Sequence, residues 1–96
     1  MARIFLTHQL KGYDQWKEGY DADCERRQAA GLNEEGHFLN SDDRNSFLIV
    51  WDTEVDIDET TALVTAMMAD EVLAKLMEEA GVLDKPEFWV AQHTEA

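Results

Sequence analysis

The run Phe47-Leu48-Ile49-Val50-Trp51 constrains this chain more than any other feature. Its residues are β-branched or aromatic for the most part, and Ser41-Asp42-Asp43-Arg44-Asn45 just ahead of it is dense in turn formers. The pattern predicts a strand over Ser46 to Asp52 with apolar side chains on both faces: Phe47, Ile49 and Trp51 on one, Leu48 and Val50 on the other. Such a strand belongs at the centre of a sheet. Arg3 to Gln9 repeats the theme, with Ile4 and Leu6 on one side and Phe5 on the other.

Between these strands Asp14 offers an N-cap, and Trp16, Tyr20, Cys24 and Arg27 recur at helical spacing as far as Gly31, placed where a left-handed C-terminal residue is wanted. Leu32 suits the apolar residue that closes such an end, and after Asn33 to Gly36 a short strand, His37 to Asn40, precedes the turn. Beyond the central strand, Asp56 and Asp58 lead into a helical stretch from Thr60 to Met68. Asp70 caps a second stretch whose Leu73, Leu76, Met77 and Ala80 share a face. Gly81 ends it, Val82 packs back, and Pro86 stands just before a last strand, Glu87 to His93, where a missing backbone donor costs little.

The order is β-α-β-β-α-β with no linker, repeat or low-complexity segment. It predicts one α+β, ferredoxin-like domain over residues 1–96: a four-stranded antiparallel sheet with both helices on one face. The other face is then bare, and because the two central strands are apolar on both sides it should meet something dry. A second copy of the same sheet is the simplest candidate, so a homodimer packed face to face is expected, burying roughly 1,600 Å² in all. With 96 residues the chain hides only roughly 60–65% of the surface its unfolded form exposes, and such an interface would add stability.

Twenty-one acidic residues against eight Lys and Arg give a formal charge of −13, so nucleic acid and membrane headgroups are poor partners. A solvated coat that keeps a small protein soluble accounts for the acidity. Cys24 is the lone cysteine and cannot close an internal disulfide, and no charged-then-apolar leader opens the chain, so a cytoplasmic location is expected.

The segments RIFLTHQLKGYDQWKEGYD, ERRQAAG, NSDDRN, FLIVWD, AKLMEEAGV and PEFWVAQ together resemble small proteins of the dimeric α+β barrel superfamily, most closely chains labelled cyclase-like or antibiotic-biosynthesis-monooxygenase-like. The resemblance covers nearly the whole chain. It implies a pocket between sheet and helices for an organic molecule with substantial apolar surface, and it implies no particular reaction, because the superfamily spans cofactor-free oxygenases, isomerases, dehydratases and haem-degrading enzymes. The haem-degrading branch would need a histidine on the second helix, and Thr60 to Ala80 contains none. Arg44 stands in the turn where many relatives have proline.

His8 sits late in an apolar strand and, with an unperturbed pKa near 6.5, could face a cavity as a general base or ligand anchor; a backbone-bonded strand-end histidine is the plainer reading. A shared three-histidine metal site is not expected: His8 and His93 fall roughly 15 Å apart and His37 on the order of 10 Å from His8 in the predicted strand order. Tyr13, Trp16 and Tyr20 form an aromatic stripe that, with Phe5, Trp51, Trp89 and the deformable Met67, Met68 and Met77, could line an apolar cavity or simply fill the core. Three tryptophans in so short a chain, and the missing side chain of Gly19 inside the helix, favour the cavity.

Arg26 and Arg27 lie about 100° apart on a helix, so only one can point inward. Arg27 shares the stripe and could receive a ligand carboxylate, or pair with a local acid. Cys24, on the same stripe, reads as a buried filler. The acidic run from Asp52 to Glu59 lacks the glycine and spacing of a calcium loop, and no phosphate loop, metal motif or nucleophile–base pair appears, so no cofactor is expected. The sequence therefore predicts a binder of a polyketide-, aromatic- or fatty-acid-like molecule bearing a carbonyl or carboxylate, with or without a cofactor-free cyclisation, isomerisation or oxygenation; the alternative is a dimeric assembly module with no substrate.

Overall fold

In the computed structural model, which describes residues 2–43, 45–83 and 86–92, the apolar run forms β3 (Ser46–Thr53), flanked on one side by β1 (Ala2–Gln9) and on the other by β2 (Asn33–Leu39). With β4 (Glu87–Gln92) on the far side of β1, the antiparallel order is β2-β3-β1-β4. The two strands that are apolar on both faces thus occupy the centre. Register puts His8 opposite Phe47, Leu6 opposite Ile49 and Ile4 opposite Trp51, and all six side chains point to the helix-covered face.

That face is covered by α1 (Tyr13–Ala22), α2 (Cys24–Ala29), α3 (Ile57–Ala69) and α4 (Glu71–Glu79). Ile4, Leu6, Phe47, Ile49 and Trp51 are buried there with Trp16, Val64, Met67 and Leu73 in one cluster. Gly31 and Gly81 take φ of 85° and 88°, the left-handed conformation that ends a helix cheaply only for glycine. Asp70 caps α4 by accepting from the Val72 and Leu73 amides, and Asp56 caps α3 by accepting from Glu59.

Several local expectations are corrected. The first helix is two: the Asp23 amide donates to the Tyr20 carbonyl at 3.2 Å, a three-residue turn that tightens the coil and shifts its phase. Cys24, first residue of α2, is exposed in consequence, while Arg27 turns inward and is 7% exposed. Asp14 lies in the first turn of α1 and the N-cap position is Gly12, with no side-chain cap. The second strand begins four residues early, at Asn33, because a bulge between Glu34 and Gly36 carries its polar start into the ladder. His93 and Arg44 lie outside the described residues.

On the opposite sheet face Phe5 pairs with Val50 and Trp89, and Phe38 with Leu48. Trp89 is 69% and Phe38 56% exposed. No helix of the described chain is long and apolar enough to cross a membrane.

Candidate functional site

A cavity of about 490 Å³ opens between the helix-covered sheet face and the helices. Its floor is Leu6 and His8 from β1 with Ile49 and Trp51 from β3; α1 supplies Trp16 and Tyr20, α2 Arg27, α3 Met67 and Met68, and α4 Leu73 and Met77. This volume falls in the range that holds small organic ligands. Three carboxylates, Glu18, Asp23 and Glu79, and two guanidiniums, Arg26 and Arg27, also border it.

His8 is 6% exposed, and its Nδ1 is buried with no hydrogen-bond partner among the described residues. Burial pushes its pKa down to about 4, so the ring is a neutral imidazole at pH 7. Its ring centroid lies 6.2 Å from that of Trp16, and no carboxylate among the described residues pairs with it. An unoriented, weakly basic imidazole is a contact point for a ligand polar group rather than an activated base of the triad type.

Trp16 stacks on Tyr20 at 4.5 Å and 23° between planes. The Trp51 indole N–H donates to the Tyr20 hydroxyl at 2.9 Å, and that hydroxyl donates to Glu34 Oε1 at 3.1 Å. Glu34 Oε1 also meets His37 Nδ1 at 2.7 Å. Burial, opposed by the Trp51 bond and the Arg27 charge, holds the Tyr20 phenol up at about 12, so it stays protonated and bridges helix to sheet. Gly19 borders the cavity, and a Cβ there would meet the Ala80 Cβ at 3.1 Å; the missing side chain lets α1 approach the end of α4 as much as it leaves room for a ligand.

Of the residues singled out from sequence, His8, Trp16, Tyr20, Arg27, Trp51 and Met67 line this one cavity. Tyr13 lies outside the lining and packs on Phe47, with centroids 5.8 Å apart. Phe5 and Trp89 do not join them: they contact each other at 5.6 Å on the opposite sheet face, because β1–β4 register pairs them and β1 alternates Phe5 away from Leu6 and His8. Sequence reasoning missed Leu6 and Ile49, whose even alternation with His8 and with Trp51 was the available signal, and the Trp51–Tyr20–Glu34–His37 chain, for which there was none. Among the described residues no group of three or more His, Cys, Asp or Glu side chains is arranged to hold a metal ion.

Neither a family model nor a curated protein matches the chain. Solved structures do. A NIPSNAP family protein of unknown function from Agrobacterium tumefaciens superposes with a TM-score of 0.66 at 14% identity, over 98% of this chain and 91% of that one. A NIPSNAP domain protein from Burkholderia xenovorans gives 0.65 at 13% over 98% and 95%, and an antibiotic biosynthesis monooxygenase gives 0.65 at 14% over 99% and 100%. Likeness at such identities reports architecture, and the architecture of this chain is the ferredoxin-like α+β fold shared by antibiotic-biosynthesis-monooxygenase-like and NIPSNAP proteins.

Proposed function

We propose that this chain binds a small, largely apolar organic molecule in the cavity beside His8, as a homodimer joined through the open sheet faces. The observation that carries the reading is the buried His8, whose Nδ1 lacks a partner at the floor of a cavity walled by Trp16, Tyr20, Trp51 and Met67. Buried polar groups in folded proteins are nearly always paired, and an orphan beside a cavity is explained by a ligand that completes it or changes its surroundings. A polyketide-, aromatic- or fatty-acid-like body suits the aromatic and thioether walls. Any reaction would be a cofactor-free proton transfer with His8 as the catalytic candidate, and its low basicity weights the proposal toward binding.

The homodimer is supported by Trp89 and Phe38, large apolar side chains 69% and 56% exposed on one sheet face, a patch of the kind that marks interaction surfaces. The lone cysteine and the charge of −13 suit a cytoplasmic protein without nucleic-acid or membrane partners. A second reading, an assembly module with no substrate, draws on the same exposed face. Native mass spectrometry separates the two: the expected result is a dimer carrying a small extra mass that is lost on denaturation, whereas a dimer that neither carries nor takes up aromatic or fatty acids would leave the assembly module.

A further inference from the structure

Arg27 is a cation that the fold has buried without an acid paired to it among the described residues. It is 7% exposed in a chain with 21 acidic residues to 8 Lys and Arg, yet the ion pairs among the described residues are made by Arg3, Lys17, Arg26 and His37. Its neighbour Arg26 shows the ordinary outcome, with Nε and its terminal nitrogen 2.7 and 2.6 Å from Asp23 Oδ2. Arg27 instead lies over the Tyr20 ring, Cζ 3.4 Å from the centroid, and gives one N–H to the Tyr20 carbonyl oxygen near the end of α1.

That bond and the stacking give Arg27 a structural role and leave its other N–H donors without a protein partner among the described residues, though not sealed from solvent, since His8 Nδ1 is the one buried, unpartnered side-chain atom among those residues. A guanidinium carries five N–H donors, and a buried cation is costly unless it is paired and its donors are met. The space it borders is the cavity. From Arg27 the wall runs along Tyr20 and the stacked Trp16 to His8, an aromatic surface with a charge at one end and a neutral imidazole at the other.

We infer that Arg27 is the anion anchor of the cavity and takes the carboxylate of a monocarboxylic acid whose apolar body lies along Trp16 and Tyr20 toward His8. The inference rests on the reading of the cavity as a ligand site and narrows the ligand class. The planar fork of arginine matches a carboxylate with two parallel bonds and stays able to stack, which lysine would not. A second carboxylate is disfavoured, since Glu18, Asp23 and Glu79 also border the cavity and Arg26 is committed to Asp23.

The test is calorimetric titration of the full chain at pH 7.5 with two matched pairs of probes, decanoate against decanol and 2-naphthoate against its methyl ester. The wild type should bind the acid of at least one pair roughly 10- to 100-fold more tightly than its neutral partner, the usual worth of a charge-assisted bond. Arg27→Met should bring that ratio close to one while keeping the affinity for the neutral probe. Equal binding of acid and neutral partner by the wild type, or a preference that survives in Arg27→Met, overturns the anchor and leaves the cavity reading standing. Failure of all four probes to bind takes down the cavity reading and the anchor with it. The wild-type ratio needs no variant, so the test survives if Arg27→Met does not fold.

Discussion

His8 should make this protein weaken in mild acid by an amount that can be calculated. Burial without a partner lowers its pKa from 6.5 to about 4, so between those values the unfolded chain holds a proton that the folded chain refuses. Stability rises with pH wherever the unfolded state binds more protons, so the His8 contribution is intact above pH 6.5, falls as pH drops through the window, and is fully lost below pH 4. Integration across the two pKa values gives a penalty of about 0.2 kcal/mol at pH 7 and about 2 kcal/mol at pH 5. Staying at pH 5 or above keeps clear of the isoelectric point near 4.3. Urea unfolding of wild type and His8→Leu, followed by tryptophan fluorescence at fixed protein concentration, isolates the term from the many carboxylates common to both. Relative to His8→Leu, the wild type should lose about 2 kcal/mol between pH 7 and pH 5, or about 1–2 M in urea midpoint. A difference that stays flat within ~0.5 kcal/mol would mean that water or a hidden partner solvates His8, and the argument from its orphaned nitrogen would fall.

Other expectations follow from single contacts. Tyr20→Phe removes the acceptor of the Trp51 indole N–H and the donor to Glu34, and should cost about 1–2 kcal/mol in urea unfolding. Gly31→Ala forces a Cβ onto a φ of 85° and should lower stability by about 1–2 kcal/mol, seen as a lower thermal midpoint. Trp89→Glu places a charge on edge strand β4 of the open sheet face, beside Phe5 of central β1, and should raise the dimer Kd at least ~30-fold in sedimentation analysis while leaving the helix content unchanged; a dimer of undiminished affinity would move the interface elsewhere.

What could be read from sequence was what short-range chemistry decides. The double-faced strand at Phe47 to Trp51, the glycine ends at Gly31 and Gly81 and the cap at Asp70 each need only neighbours within a few residues, and the structure has them where the pattern put them. Alternation along β1 already separated Phe5 from His8. It could not say that β4 would offer Trp89 rather than Phe88 and Val90 to the open face, because apolar side chains stand on both faces of that strand and only the pairing of Phe5 with Trp89 decides. The turn at Asp23 was hidden for a similar reason: the helical spacing of Trp16, Tyr20, Cys24 and Arg27 runs across it, and the phase shift that exposes Cys24 yet buries Arg27 is a property of the backbone there. The bonds joining Trp51, Tyr20 and Glu34 link three elements, beyond the reach of any local pattern.

The three tryptophans supply the most direct measurement. Trp16 and Trp51 border the cavity, while Trp89 lies with Phe5 on the opposite sheet face, so their three indole N–H resonances in a nitrogen–proton correlation spectrum report the two faces separately. Titration with 2-naphthoate or decanoate should shift the Trp16 and Trp51 signals together with the His8 ring and leave Trp89 in place. Shifts confined to Trp89, or to no tryptophan at saturating probe, would contradict the claim that the space beside His8 is a ligand site.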